Sequence, residues 1–195
     1  MDDAPPMTPP APLVRVEGLT MAFGEKVVQR ELSFAVQPGE ILVLMGGSGC
    51  GKSTLLRHLI GLQAPAAGHI HYGDIDLAEA DEEQLDTVRR SFGVMFQAGA
   101  LWSSMSVGDN VMLPLREYTD LEDDQIETLA RFKLALVGLD GAFDASPAAL
   151  SGGMKKRAAI ARAMALDAPL LYLDEPSAGL DPLTSARLDE LILRS

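Results

Sequence analysis

The chain has 195 residues, with 16 lysines and arginines against 28 aspartates and glutamates, which gives a formal net charge of −12. This length suffices for one domain with a sizeable core, and the acidic balance disfavours a protein that binds nucleic acid through its phosphates. The single cysteine, Cys50, excludes a disulfide within the chain and fits a reducing compartment. No apolar run is long enough to span a bilayer and the start does not resemble a signal peptide, so we expect membrane association only through a partner.

The first third of the chain predicts an arm followed by strands. Residues 1–12 are rich in proline and acidic residues, which predicts a disordered arm. Residues 13–23 and 27–36 alternate apolar and polar side chains, as half-buried antiparallel strands do. Residues 41–45, ILVLM, form a continuous apolar run, which predicts a strand buried on both faces.

Further along, the pattern changes to helical spacing and then returns to strand. An acidic segment leads into an apolar helical pattern that stops at the glycines of GLDGA, so residues 98–165 predict an inserted helical subdomain. The apolar run LLYL before Asp174 predicts a second buried parallel strand. The alternation of strands and helices favours an α/β fold, in which residues 13–97 and 166–195 form the core of a single domain.

A glycine-rich segment, GGSGCGKST at 46–54, matches the phosphate-binding pattern G-x-x-x-x-G-K-[ST] through Gly46, Gly51, Lys52 and Ser53. Glycines let backbone N–H groups surround phosphate oxygens, a helix N-terminus adds a positive field, and the lysine reaches the β and γ phosphates. Ser53 is placed to hold Mg²⁺. The alternative, an ordinary glycine-rich turn, is disfavoured because a predicted strand precedes the segment and a predicted helix follows it. The other residues of the predicted loop are Gly47, Ser48, Gly49, Cys50 and Thr54.

Two acids follow the second apolar strand. Asp174 and Glu175 come at its carboxyl end, where ligands of open α/β sheets bind. We predict that Asp174 supports the metal and that Glu175 polarises the attacking water, on opposite faces of the strand. Gln97 ends a third strand-like run and could sense the metal or the γ phosphate. Taken alone, the acids would be solvated surface groups and Gln97 an edge glutamine.

These motifs, in the order GGSGCGKST, Gln97, LSGGMKKR, LLYLDEP and SAGLDP, resemble the ATP-binding subunit of an ABC transporter. The resemblance extends from about Leu13 to the end of the chain. It implies a P-loop NTPase core with an antiparallel β subdomain and an inserted helical subdomain. It also implies ATP and Mg²⁺ as ligands, and ATP hydrolysis coupled to transport.

The resemblance implies roles for individual residues. Phe23 would stack on adenine, although a phenylalanine before a glycine is also found as an ordinary core or turn residue. Gln97 matches the Q-loop, which links the nucleotide to the helical subdomain and the membrane partner. Asp174 resembles the Walker B aspartate and Glu175 the catalytic base, and residues 177–181 match the D-loop.

The segment Ser151, Gly152 and Gly153 resembles the ABC signature, which implies that it caps the γ phosphate held by a second copy in a head-to-tail dimer. The alternative is a capped helix with a solvated basic face, in which Ser151 is the N-cap and residues 155–157 are surface. That alternative does not require both glycines.

A narrower resemblance, carried by FQAGALWSSMSVGDNVMLPLREYT and by Met154, is to the ATPases of Mla-type transporters, which move phospholipid with MCE proteins. It implies an integral membrane permease, an MCE substrate-binding protein, and a location on the cytoplasmic face of the inner membrane. Another transported solute, such as an amino acid, and a soluble ABC protein outside transport remain alternatives. Four residues could line a groove for a permease helix or pack inside the subdomain: Trp102, Met105, Val107 and Met112.

The sequence departs from the family pattern in two places. The family has a histidine some thirty residues beyond Glu175, but the histidines of this chain, His58, His69 and His71, all lie upstream. We therefore expect that the C-terminal part of the usual domain is missing and that hydrolysis by this chain is compromised. Gly47 replaces a frequent proline, which loosens the loop without removing a phosphate-binding N–H.

Overall fold

The structure, a computed structural model, describes residues 10–194 and divides into two compact units, residues 1–88 and 89–195. Residues 1–9, most of the predicted arm, lie outside the described part of the chain. Helix α2, Glu82–Arg90, carries the chain from one unit to the next.

The first unit is built on a four-stranded antiparallel sheet in the order β2-β1-β3-β4. The two alternating segments form antiparallel strands, as predicted, and the structure pairs them with each other. A third and a fourth strand, which the sequence did not predict, extend the sheet. The elements of this unit are β1 Val14–Phe23, β2 Lys26–Val36, α1 Lys52–Leu59, β3 Ala67–Tyr72 and β4 Ile75–Asp76.

Alternation along the strands determines which face of the sheet is buried. Val14 and Val16 are buried in β1, whereas Arg15 and Glu17 between and beyond them are exposed. Helix α1 contributes buried leucines, and the Tyr72 hydroxyl donates a 2.9 Å hydrogen bond to the Leu59 carbonyl. The apolar side chains buried in this unit are Val14, Val16, Leu19, Met21, Val36, Leu55, Leu56, Leu59, Ile70, Tyr72 and Val88.

The prediction of a buried strand at residues 41–45 is wrong for this structure. The segment has no regular structure, and the exposed fraction of its side chains runs from 42% at Leu42 to 88% at Met45. A strand that is apolar on both faces needs hydrogen-bonded neighbours on its edges and cover on its faces. Within residues 10–194, no strand pairs with this segment, so its apolar side chains remain in contact with solvent.

The second unit pairs two parallel strands and surrounds them with helices. Strand β5 pairs with β6 in register from Phe92↔Leu170 to Met95↔Leu173. The prediction of a parallel strand at LLYL is therefore confirmed, and its partner is the strand-like run before Gln97. The elements are β5 Phe92–Met95, α3 Val107–Tyr118, α4 Asp123–Leu136, α5 Gly152–Ala163, β6 Leu170–Leu173 and α6 Pro182–Arg194.

One hydrophobic core holds these helices and strands together. It joins Met95 of β5, Val111 of α3, Leu134 of α4 and Ile160 of α5, which are fully buried. Helix α5 packs closely on β5, because a Cβ on Gly93 would lie 1.8 Å from the Ala163 carbonyl oxygen. Only glycine fits that crossing.

The predicted helix boundaries follow from local capping. Helix α4 begins with a capping box between Glu122 and Gln125 and ends at the C-cap Val137, just before Gly138 with φ 66°. Helix α3 has a capping box between Ser106 and Asp109. Among residues 10–194, no helix combines the length and apolarity needed to cross a membrane.

Candidate functional site

The glycine-rich loop leads directly into α1, as the sequence predicted. Gly51 is the N-cap of the helix and supplies no side-chain hydrogen bond to it. The first turn of a helix carries N–H groups without intrahelical partners and the positive end of the helix dipole. A loop with this geometry fits an anion such as a phosphate.

One loop glycine is required by the fold itself, because Gly51 has φ 104° and a Cβ there would lie 2.7 Å from the Val28 side chain. A Cβ on Gly46 would lie 2.6 Å from Cys50 Sγ, so the Cys50 side chain would have to move. Gly49 also has a positive φ of 78°. The backbone of the loop can therefore approach a ligand where side chains would obstruct it.

The lysine of the motif reaches back over the loop. Lys52 Nζ donates to the Gly46 carbonyl at 2.7 Å and to the Gly47 carbonyl at 3.2 Å. These two carbonyls hold the ammonium group next to the loop backbone, where it adds a positive charge to that of the helix N-terminus. Ser53 and Thr54 of the motif lie in the first turn of α1.

The second unit brings together the strand-end residues that the sequence singled out. Because β5 and β6 are parallel neighbours, their carboxyl ends meet at one edge, and Asp174 N–H donates to the Met95 carbonyl at 2.9 Å. Gln97 Nε2 donates to Glu175 Oε2 at 2.7 Å. Residues 78 positions apart in sequence are thus in direct contact.

Glu175 does not continue the strand, contrary to the expectation that the two acids alternate along it. Strand β6 ends at Leu173, and Glu175 has φ 51°, an uncommon conformation for a residue with a side chain. Such conformations persist where surrounding contacts impose them, and they cluster at functional sites. Here Lys156 Nζ donates to the Glu175 carbonyl at 2.8 Å and also to the Ala178 carbonyl.

The LSGG segment forms the start of α5. Ser151 is the N-cap, and its Oγ accepts a 3.3 Å hydrogen bond from the Met154 N–H. The alternative of a solvated basic face is wrong for two of its three residues. Lys156 makes the contacts described above, and Arg157 donates to the Val137 and Gly138 carbonyls at 2.8 and 3.1 Å.

Gly152 and Gly153 differ in what the chain itself requires of them. Among the described residues, a Cβ on Gly152 would meet nothing within 4 Å, and one on Gly153 would lie 3.0 Å from the end of the Leu180 side chain. Packing within residues 10–194 therefore gives no reason for a glycine at 152. Close approach by a molecule outside the chain would give one.

Arg162, which the sequence reasoning missed, holds the turn after Gln97. Its guanidinium donates to the Ala100 carbonyl at 2.8 Å and to the Gly99 carbonyl at 3.0 Å. Burial lowers the pKa of this guanidinium. A basic residue late in a helix pattern gives no sign of which carbonyls it will reach, so the sequence carried no signal for this contact.

Phe23 ends β1, and half of its side chain is exposed. This excludes the core alternative for Phe23 and leaves the turn and stacking alternatives.

The predicted groove for a permease helix is wrong at two positions, because Val107 and Met112 of α3 are buried in the core. Trp102 is 59% exposed and Met105 is partly exposed.

The glycine loop that opens a helix and the polar residues at the ends of parallel strands define a P-loop nucleotide-binding protein of the α/β class. The chain belongs to the ABC transporter family, whose model, described as "ABC transporter", matches residues 29–178. The family resemblance drawn from the motifs is therefore confirmed.

Curated relatives cover most of this chain. A probable ribonucleotide transport ATP-binding protein, mkl, from Mycobacterium tuberculosis is 43% identical over 180 residues, 92% of this chain and 50% of the relative. The MlaF ATP-binding protein of an intermembrane phospholipid transport system, from Escherichia coli, is 41% identical over 182 residues, 93% of this chain and 68% of the relative. The chain thus spans about half the length of the mycobacterial relative.

Solved structures agree with the fold. An ATP-binding cassette solved as a dimer in a post-hydrolysis state with ADP and Pi has a TM-score of 0.86 at 29% identity, over 92% of this chain and 81% of that one. An ATP-binding subunit of an ABC transporter has a TM-score of 0.81 at 31% identity, over 93% and 74%. The predicted ABC-ATPase fold is confirmed.

Proposed function

We propose that this chain is the ATP-binding and ATP-hydrolysing part of an ABC transporter that moves phospholipid. The observation that carries the ATP site is the glycine loop at 46–54. There the fold requires glycine at position 51, and no side chain of the described residues caps α1. The Lys52 ammonium donates to the Gly46 carbonyl of the loop. This cradle fits the triphosphate of ATP, and the solved relative with ADP and Pi supports that ligand.

Lys52 and the backbone of residues 46–54 would bind the β and γ phosphates and orient the γ phosphate for attack. Ser53, Gln97 and Asp174 would hold Mg²⁺, since hydroxyl, amide and carboxylate oxygens suit that ion. When bound, Mg²⁺ supplies positive charge that neutralises the phosphate oxygens. Glu175 would orient the attacking water, and its hydrogen bond to Gln97 supports a shared task.

The second part of the proposal is a head-to-tail pair of ATPase chains. Ser151, Gly152 and Gly153 would contact the γ phosphate held by the second copy. The absence of any neighbour within 4 Å of a Cβ at Gly152 supports close approach from outside the chain. The dimeric form of the solved cassette supports the same arrangement.

The transported solute follows from the narrower resemblance. The MlaF relatives act in intermembrane phospholipid transport, which supports phospholipid as the solute. The partners would be an integral membrane permease and an MCE substrate-binding protein, and the chain would lie on the cytoplasmic face of the inner membrane. Trp102 and Met105 remain candidates for contact with the permease.

A different solute is the second candidate, because relatives that are 43% identical have names that refer to ribonucleotide transport. The discriminating measurement is ATP turnover by the chain assembled with its membrane subunit in vesicles. Phospholipid transport predicts that turnover accompanies movement of labelled phospholipid between vesicles and is unaffected by added ribonucleotide. Stimulation by ribonucleotide without lipid movement would select the second candidate.

The hydrolysis step is tested by Glu175→Gln in the assembled transporter. The amide keeps the size of the side chain and can still contact Gln97, but it cannot polarise water as a carboxylate does. We expect ATP binding to be retained and turnover to fall by at least about 100-fold, the scale of general-base contributions. Glu117→Gln, the same change at an exposed residue of the same unit, is the control. Near-normal turnover of Glu175→Gln would remove Glu175 from the proposed role.

A further inference from the structure

A cluster of imidazoles and carboxylates lies on the outward face of the antiparallel sheet in the first unit. Along β3, Ile70 and Tyr72 are buried, which turns His69 and His71 to the opposite face. The strand register sets His69 beside Glu17 of β1, and His71 between Arg15 of β1 and Asp76 of β4. Three adjacent strands thus present potential metal ligands on one face.

The distances within the cluster are short. His69 Nδ1 lies 2.6 Å from Asp76 Oδ2, and the two imidazole rings stack with centroids 5.9 Å apart and planes 21° apart. One ligand atom from each of His69, His71 and Asp76 lies within 4.8 Å of the other two. His71 Nε2 also lies 3.7 Å from Glu17 Oε2.

The carboxylate is held in place from behind. Asp76 Oδ1 accepts a 3.0 Å hydrogen bond from the Ala78 N–H, which leaves Oδ2 directed at His69. A carboxylate anchored in this way is pre-oriented for a metal.

A simple ion pair between His69 and Asp76 explains less of the arrangement. Such a pair accounts for two of the three residues, and an ion pair with a half-exposed partner contributes little to stability. It does not involve His71, whose ring stacks on that of His69. A cation shared by the two imidazoles and the carboxylate would engage all three residues.

We propose that His69, His71 and Asp76 form a binding site for a divalent transition metal ion, with Zn²⁺ as the best chemical match. Two nitrogen ligands and one oxygen ligand suit this ion, and water or the Glu17 carboxylate would complete four-coordination. On binding, the 2.6 Å separation of Nδ1 and Oδ2 must open to about 3.4 Å, the separation of two ligands in a tetrahedral zinc site. The half-exposed His69 side chain can rotate enough to allow this.

Arg15 sets a limit on the affinity. Its guanidinium lies on the same face and pairs with Glu17 at 2.5 Å, which places a positive charge near the cluster and engages the fourth candidate ligand. Removal of that charge should strengthen metal binding. This gives the proposal a prediction that nonspecific adsorption of zinc does not share.

The test is a competition titration of the 195-residue chain, prepared without a polyhistidine tag and stripped of metal, with ZnCl₂ against a chromophoric chelator. We expect one zinc ion per chain, bound at least about tenfold more weakly by His71→Gln and by Asp76→Asn, and several-fold more tightly by Arg15→Gln. Asp74→Asn, at an exposed residue in the adjoining turn, should leave the affinity unchanged. Circular dichroism and ATP binding of each variant confirm that it has folded.

X-ray absorption at the zinc edge of the unsubstituted chain gives a second readout that needs no variant. We expect a first coordination shell of nitrogen and oxygen with the scattering signature of two imidazoles. A sulfur ligand, a failure to bind zinc, or an unchanged affinity in a folded His69→Gln/His71→Gln chain would each overturn the proposal.

Discussion

At the scale of single residues, two basic side chains hold the backbone next to the strand-end residues in place. Lys156 fixes the backbone of Glu175 and Ala178, and Arg162 fixes the turn after Gln97. Both basic residues lie on α5, whose N-terminus carries the LSGG segment. A single helix therefore links the LSGG segment, the turn after Gln97 and the residue proposed as the general base.

The anchoring role of Lys156 is testable with Lys156→Met, which keeps the apolar stem and removes the ammonium group. We expect the free energy of unfolding to fall by about 1–2 kcal/mol, the scale of a hydrogen bond from a charged group that is not fully buried. ATP turnover should fall as well, because the backbone of Glu175 is less constrained. Denaturant unfolding and ATPase assays measure the two effects. The matched control is Lys155→Met, because among the described residues the Lys155 side chain makes no hydrogen bond or ion pair. Equal behaviour of the two variants would contradict the anchoring role.

The capping box of α3 gives a prediction about pH. The pKa of Asp109 is lowered from 3.8, mainly by the 2.8 Å hydrogen bond from the Ser106 hydroxyl. Burial raises the pKa, but the Ser106 N–H and Arg116 lower it further. Because the folded-state pKa is the lower one, the carboxylate stabilises the fold above pH 3.8, and this contribution is lost as pH falls through the folded-state value. We expect Asp109→Asn to lower stability at neutral pH by about 0.5 kcal/mol, the low end for a helix cap, and to flatten the stability profile in acid. Denaturant unfolding between neutral and acid pH, with Asp120→Asn as control, measures this, and an unchanged profile would contradict it.

At the scale of secondary structure elements, the start of α5 combines an internal task with an external one. Ser151 caps the helix, which any N-cap serine does, whereas Gly152 has no packing reason within the chain to be glycine. The two interpretations of LSGG from the sequence, a capped helix start and an ABC signature, are thus compatible. The cap belongs to the fold, and the proposed γ-phosphate contact belongs to a pair of chains.

Gly152→Ala separates those two tasks. Alanine is the better helix former and has space at this position, so we expect the stability of the single chain to be equal or slightly higher. ATP-driven dimerisation should be strongly reduced, because the added methyl group would stand where the second copy's nucleotide approaches. Analytical ultracentrifugation with ATP, in a Glu175→Gln background that retains the nucleotide, measures dimerisation. Ser151→Arg should likewise spare ATP binding by the monomer, and dimerisation of both variants at the parental affinity would contradict the proposed contact.

At the scale of the whole molecule, residues 41–45 stand out as the part of the described chain whose sequence and environment disagree. Five consecutive apolar residues are exposed, although their pattern is that of a strand covered on both faces. The chain spans 50% to 69% of the length of its mkl and MlaF relatives. Within residues 10–194, no strand pairs with this segment.

The exposure of this segment is testable with Val43→Asp in the 195-residue chain. Since Val43 is 68% exposed, we expect the free energy of unfolding to change by less than about 0.5 kcal/mol, and binding of a hydrophobic dye and self-association to decrease. Val111→Asp, which places a charge in the core of the second unit, is the control and should unfold that unit. A loss of several kcal/mol for Val43→Asp would show that the segment is buried in the 195-residue chain.

The sequence by itself determined the local structure of this protein and its family. The local features are the glycine loop before a helix, the strands β1 and β2, the parallel strand at LLYL and the end of α4 before Gly138. These features are readable because they depend on residues close together in the chain, where backbone conformation and side-chain period leave few alternatives. Only the tertiary structure decided that Gln97 contacts Glu175 and that Lys156 and Arg162 donate to particular carbonyls. It also decided that Val107 and Met112 are buried, whereas residues 41–45 are exposed. Those outcomes depend on which distant segments become neighbours, and an apolar or basic side chain does not specify its partner in advance.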